Sequence, residues 1–201
     1  MSDHATSALS GATQATSALA GATATGLVTV SEMGLCGMVT LRADLAACAG
    51  AVQQVTGAPM PGPRAITAGT RDGQGTQVAW MSPDELLILC DHGSADAIVA
   101  ALSQALAGQH HLAVVVSDAR AMFRLSGPAG ALRDTLAKIT PADIAALGVH
   151  EMRRTRLQQV AGAIWFEDAT EARVICFRSV ARYVFDLLAM SARDGGAVGY
   201  H

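Results

Sequence analysis

The most legible alternation of apolar and polar positions lies between Val114 and Asp143. The apolar run Val114, Val115, Val116 ends at Ser117-Asp118. Ala121, Phe123 and Leu125 then alternate with Met122, Arg124 and Ser126, which predicts a strand with two unlike faces. Gly127-Pro128 opens a helix, with proline where no N–H donor is needed. Ala131, Leu132, Thr135, Leu136 and Ile139 share one face of that helix. Thr140-Pro141-Ala142-Asp143 predicts a second helix start directly behind it.

The same reading extends along the chain. Leu27 to Ser31 and Met38 to Arg42 are strand candidates, broken by Gly34 and Gly37. Asp44 caps a helix that runs to about Val55, with Leu45, Cys48, Ala49 and Val52 on one face and Gly57 as its stop. A loop follows at Ala58 to Pro63, and a polar turn at Thr70 to Gly75. Gln77 to Trp80 and Leu86 to Cys90 form a hairpin. Ser82 to Glu85 also fits a helix capping box, but the apolar run Leu86 to Leu89 favours strand. Ser94 caps a helix carrying Ile98, Ala101, Leu102, Ala105 and Leu106 on one side, stopped at Gly108.

Val160 to Phe166 and Arg173 to Phe177 make another hairpin. Ser179 then caps a last helix striped by Val180, Tyr183, Val184, Leu187 and Leu188. Repeated strand pairs followed by helices predict an α+β fold, mixed, with largely antiparallel sheets and packed helices. The expected division is a small α/β unit at 27–109, a second at 110–195, and a short tail at 196–201. In residues 1–26 the near-duplicate TSALSGATQA and TSALAGATAT begins at Thr6 and again at Thr16. Two copies of so small and polar a unit make no repeat architecture, so a disordered tail is expected there.

Composition narrows the function. The chain of 201 residues is 51% hydrophobic and 15% charged, with a formal net charge of −3. After His150, seven arginines face six acids, a balance that argues against a nucleic-acid groove. Low charge is what a subunit within an assembly tolerates, and it is also what an alanine-rich composition produces. Cys36, Cys48, Cys90 and Cys176 lie far apart among apolar neighbours and read as small buried residues of a reducing compartment. No apolar run nears the ~18 residues of a membrane span, and Met1 to His4 lacks the positive start of a secretory signal. A cytoplasmic protein with no membrane and no nucleic-acid partner is expected.

Motifs for chemistry are sparse. His110 and His111 are adjacent on a strand and point to opposite faces, while His4, His92, His150 and His201 have no ligand spacing. Ser117-Asp118 lacks a placed histidine and reads as a turn. Gly69 to Gly75 has glycines but neither the lysine nor the following helix of a phosphate loop. No metal and no catalytic residue is expected.

The wording of four segments carries a family resemblance: VVVSDARAMFRLSGPAGALRDTLAKITPAD from Val114, VAWMSPDELLIL from Val78, RRTRLQQVAGAIW from Arg153, and CFRSVARYVFDLL from Cys176. Together they resemble the folate-binding fold of the glycine-cleavage T-protein. More closely, over about residues 27 to 193, they resemble the gamma subunits of heterotetrameric sarcosine oxidase. The resemblance implies a T-protein-like fold and a non-catalytic chain assembled with alpha, beta and delta subunits. That complex oxidatively demethylates sarcosine to glycine, with hydrogen peroxide and methylene-tetrahydrofolate or formaldehyde as products. It also implies that FAD, FMN, NAD and tetrahydrofolate are held by the other subunits and none by this chain. T-protein-like enzymes place a catalytic acid on the hairpin before the last strand. The corresponding stretch here, Val160 to Phe166, has none, and Glu167-Asp168 stands at the turn. A stand-alone folate-binding one-carbon transferase or regulator is the alternative.

Against that background Arg153, Arg154 and Arg156 are the foremost candidates. Three guanidiniums in four residues repel one another unless anions meet them. They read as a solvated strand edge, a subunit-interface anchor, or a contact to an anion or folate tail. Arg178 and Arg182 are further interface candidates, and Trp165, like Trp80, reads as a core or interface aromatic.

Overall fold

A computed structural model of the protein describes residues 14–199. Among the described residues, eleven strands form two sheets. In the first, β1 (Thr23–Thr25), β2 (Thr29–Glu32), β8 (Arg120–Ser126), β11 (Glu171–Phe177), β10 (Val160–Phe166) and β9 (Arg153–Leu157) lie side by side in that order. In the second the order is β4 (Ile66–Arg71), β5 (Gln74–Ser82), β6 (Glu85–Cys90), β3 (Gly37–Ala43) and β7 (His111–Val115). Every pairing between these strands is antiparallel, as the alternating patterns predict.

Four layers result. Helices α1 (Leu45–Thr56) and α2 (Ala95–Ala105) cover the outer face of the five-stranded sheet, burying Cys48, Val52, Ile98 and Leu102 against Val39, Val78 and Ile88. Helices α3 (Ala129–Ala137) and α4 (Ala181–Ser191) cover the outer face of the six-stranded sheet, burying Leu132, Leu136, Val184 and Leu188 against Phe123, Leu125 and Val174. The inner faces meet in a third core of Met38, Leu87, Leu89, Met122, Trp165 and Ile175. Strands in this arrangement are apolar on both faces. That is why β6 reads as the unbroken run Leu86 to Leu89 rather than as an alternation.

Local rules place most elements as expected. Asp44 accepts from the Ala46 and Ala47 amides at the start of α1, and Gly57 ends it at φ 72°. Pro128 stands at the cap of α3, and its carbonyl accepts from Leu132 N. The capping box at Ser82 to Glu85 is overridden by the β5–β6 hairpin, with Leu86, Leu87, Ile88 and Leu89 all buried.

Other expectations are corrected. The 109/110 boundary does not separate the sheets: β7 completes the five-stranded sheet, and β2 pairs with β8 in the six-stranded one. Order also begins ahead of residue 27, since Ala18 and Leu19 pack on a core and β1 pairs with β2. The first copy of the near-duplicate lies largely outside the described residues, as do residues 200 and 201.

The second helix start at Thr140 makes its capping bonds, Ala142 N to Thr140 Oγ1 and Ala146 N to Asp143 Oδ1, yet no helix follows. Arg133 takes the Ile144 and Leu147 carbonyls, while Ile144 and Leu147 are drawn into the core. Neither Ser94 nor Ser179 makes a capping bond; each lies in a short 3₁₀ turn leading into its helix. Tyr183 flanks the buried stripe of α4 and is exposed, the stripe being Ala181, Val184, Leu187, Leu188 and Ser191.

Candidate interaction surface

The inter-sheet layer opens at both ends. At one end is a cleft of about 400 Å³ lined by Met33, Cys36, Gly69, Gln77, Cys90 and Met122. Its polar neighbour is Glu167, which the chain uses as a fastener. Trp165 Nε1 donates to one carboxylate oxygen at 2.8 Å, and Gln77 Nε2 donates to the other at 2.9 Å. Arg173 stands 3.6 Å from the first oxygen and His150 3.6 Å from the second. Asp168 accepts from the amide and hydroxyl of Thr170, which holds its carboxyl below the usual range. Both acids of the hairpin turn are therefore engaged in holding structure.

Burial favours the protonated form of all four thiols. Burial pushes Cys176 up to about 12 and Cys90 up to about 11, and it raises Cys36 and Cys48 as well. Cys48 and Cys176 are buried as expected, whereas Cys36 and Cys90 are only half-buried. Ser117 Oγ accepts from Met38 N at 2.9 Å and so ties the turn before β8 to β3. Among the described residues no group of three or more His, Cys, Asp or Glu is placed to hold a metal.

At the opposite end of the layer the arginines gather. β9 is an edge strand, and Arg154 and Arg156 stand opposite Ala163 and Ala161 of β10. Ala163 belongs to the inter-sheet core, so these two arginines share its face. Arg154 donates to the Met81 carbonyl at 3.2 Å and lies 3.7 Å from Glu85. Glu85 also takes Arg42 at 3.1 Å, and Asp84 takes the other Arg42 nitrogen at 3.1 Å. Arg120 completes the group, its guanidinium 4.6 Å from the centroid of the Phe177 ring. Burial lowers the Arg120 pKa and Glu85 partly offsets this. Arg120 Nε is buried without a hydrogen-bond partner.

The candidates thus divide. Arg154 joins this group, and Arg156 shares its face of β9. Arg153 lies on the other face of β9, 3.8 Å from Glu151, and its Nε too is buried and unpartnered. Arg178 donates to the Thr16 and Ser17 carbonyls and pins the N-terminal stretch. Arg182 makes an exposed pair with Asp186 one helical turn on, a contact that adds little. Trp165 is wholly buried between the sheets, so of the two readings it is a core aromatic. Arg42, Arg120 and Phe177 escaped sequence reasoning because no local run joins them: register pairs Arg120 with Phe177, and only packing of the two sheets brings Arg42 near them through Glu85. The one local signal was Phe177 at the end of the run Val174-Ile175-Cys176.

Comparison with known proteins sets this geometry in a lineage. Residues 41–191 match the model of the "Sarcosine oxidase, gamma subunit family". The chain is 32% identical over 144 residues to the sarcosine oxidase subunit gamma of an Arthrobacter species, covering 70% of this chain and 68% of that one. It is 32% identical over 117 residues to that of Corynebacterium sp. strain P-1, covering 57% of this chain and 55% of the relative. Among solved structures it is similar to a chain of the heterotetrameric sarcosine oxidase from Corynebacterium sp. U-96 in complex with pyrrole 2-carboxylate. That match has a TM-score of 0.70 and 25% identity, over 85% of this chain and 87% of the other. The glycine cleavage system aminomethyltransferase T from Bartonella henselae shares the fold, with a TM-score of 0.62 at 13% identity and 47% of its length covered. The interleaved two-sheet fold and a match across three quarters of the sequence make this chain a member of the sarcosine oxidase gamma subunit family.

Proposed function

We propose that this chain is the assembly subunit of a four-chain sarcosine oxidase, working with alpha, beta and delta partners in the cytoplasm. The complex would oxidatively demethylate sarcosine to glycine and yield hydrogen peroxide, with the one-carbon unit leaving on tetrahydrofolate or as formaldehyde. FAD, FMN, NAD and tetrahydrofolate would be held by the other chains. Supporting this, the sheets here are antiparallel throughout the named strands, whereas the dinucleotide crevice of a Rossmann unit is built at the ends of parallel strands.

The observation that carries a non-catalytic role is the engagement of Glu167 and Asp168. These are the acids nearest the place where T-protein-like enzymes keep their catalytic carboxylate. Glu167 is committed to Trp165 and Gln77, and Asp168 to its own turn. Arg154 and Arg156 on the free edge of β9 are proposed as interface anchors, with Arg153, Arg178 and Arg182 as further interface candidates. Arg153 and Arg178 already hold contacts within the chain.

Co-expression with the three partner chains tests the reading. Affinity capture on another subunit is expected to bring down all four chains with sarcosine-dependent peroxide production. Omitting this chain should abolish the assembly. A fully active complex formed without it would overturn the proposal.

A further inference from the structure

Strand β7 is apolar on both faces but covered on one. Ala113 and Val115 pack towards α1 and α2, whereas Leu112 is 53% exposed and Val114 40% exposed. Register puts Leu112 opposite Arg42 and Val114 opposite Thr40, so both lie on the face that the rest of the sheet turns towards the six-stranded sheet. That cover does not reach β7. Strands with apolar residues on both faces are ordinarily buried on both faces. β7 is also the edge of its sheet, with one side of its backbone unpaired in strand–strand contacts.

Charged neighbours link this patch to a second exposed apolar side chain. Leu112 adjoins Arg42, Arg42 meets Glu85, and Glu85, Arg120, Arg154 and Phe177 line one small cleft. Phe177 is 47% exposed beneath the Arg120 guanidinium. Charge around this surface is uneven. Arg42, Arg120, Arg154 and Arg156 oppose Asp84 and Glu85. In a chain with a net charge of −3 this end carries an excess of two positive charges. The buried, unpartnered Nε of Arg120 lies in the same group. Exposed aliphatic and aromatic side chains ringed by arginine are the composition of a subunit interface, with the arginines set to meet carboxylates across it.

We propose that the Leu112–Val114–Phe177 face, ringed by Arg42, Arg120 and Arg154, docks onto an acidic, apolar-centred surface of another subunit of the complex. The inference rests on the assembly role above and assigns it to one face.

The test is capture of the four-chain complex through a tag on another subunit, with recovery of this chain read after washes at low and high salt. Leu112→Asp, Val114→Asp and Phe177→Asp should each lower recovery by about tenfold or more, the loss expected when a central contact is removed. Wild-type recovery should fall as salt rises. Met190→Asp, at a 55% exposed position on α4 away from this face, serves as the control and should stay within about twofold of wild type. Each variant is first checked for an unchanged thermal midpoint as the isolated chain. If wild type is recovered and the three face variants match it, this inference fails while the assembly role stands. If Met190→Asp is lost equally, the face is not the docking site. If wild type itself is not recovered, the assembly role fails and this inference with it. Self-association of the isolated chain that Leu112→Asp abolishes would also overturn it, by giving the face to a second copy.

Discussion

Two glycines show how the same backbone conformation can carry different weights. Gly57 ends α1 at φ 72°, and Gly73 sits at φ 79° beside Asp72 at φ 50° in the turn between β4 and β5. That pair is the Asp-Gly signature of a two-residue hairpin turn. An L-residue at either site carries a left-handed penalty of roughly 1–2 kcal/mol. At Gly73 a new Cβ meets nothing, whereas at Gly57 it would press on the Thr70 carbonyl and lie 2.9 Å from Thr70 N. Gly57→Ala should therefore lower the urea midpoint well beyond Gly73→Ala. Equal midpoints for the two variants would show that the α1–β4 approach is loose and the clash is not real.

At the scale of elements, Glu167 is the fastener between hairpin β10–β11 and strand β5, since it accepts from Trp165 on one sheet and Gln77 on the other. Glu167→Ala leaves a buried indole N–H without its acceptor, which should cost about 1–3 kcal/mol. Glu167→Gln keeps an acceptor and should cost less. Chemical denaturation followed by tryptophan fluorescence measures both, and an unshifted Glu167→Ala midpoint would remove the fastener role.

Legibility in the sequence follows the same local logic. Helices α1 and α3 were readable because a stop or start residue and a periodic apolar face coincide within a dozen residues, and α4 from its apolar stripe alone. β4 was not, because Ile66-Thr67-Ala68-Gly69-Thr70-Arg71 buries only Ile66 and gains its order from register with β5. The false helix at Thr140 had every local capping signal, and it is lost to Arg133, a competitor from an earlier helix. The interface candidates split for the same reason. A run of arginines shows in sequence, but the partners of Arg154 come from β5 and β6, more than sixty residues away.

For the whole molecule, the consequence of interleaving is cooperativity. The chain begins one sheet with β1 and β2, builds the other from β3 to β7, and returns to finish the first with β8 to β11. Neither contiguous half owns a complete core: Val28 and Val30 fill the cluster beneath α3 and α4, and β7 seals the flank of β3. The inner core then joins Met38 and Leu89 from one sheet to Met122, Trp165 and Ile175 from the other. Losing either sheet exposes that shared layer, so partial unfolding leaves apolar surface open on the part that remains. We therefore expect one transition in urea, with the same midpoint by far-ultraviolet circular dichroism and by fluorescence. Trp165 reports the inter-sheet layer and half-buried Trp80 reports β5, so the two replaced singly by Phe give independent views. A fragment of residues 110–195, deprived of β1 and β2 and carrying an unpaired β7, should not fold alone. Two separated transitions, or a folded fragment, would mean that each sheet with its helices is self-sufficient and that the inner core contributes little to holding the two together.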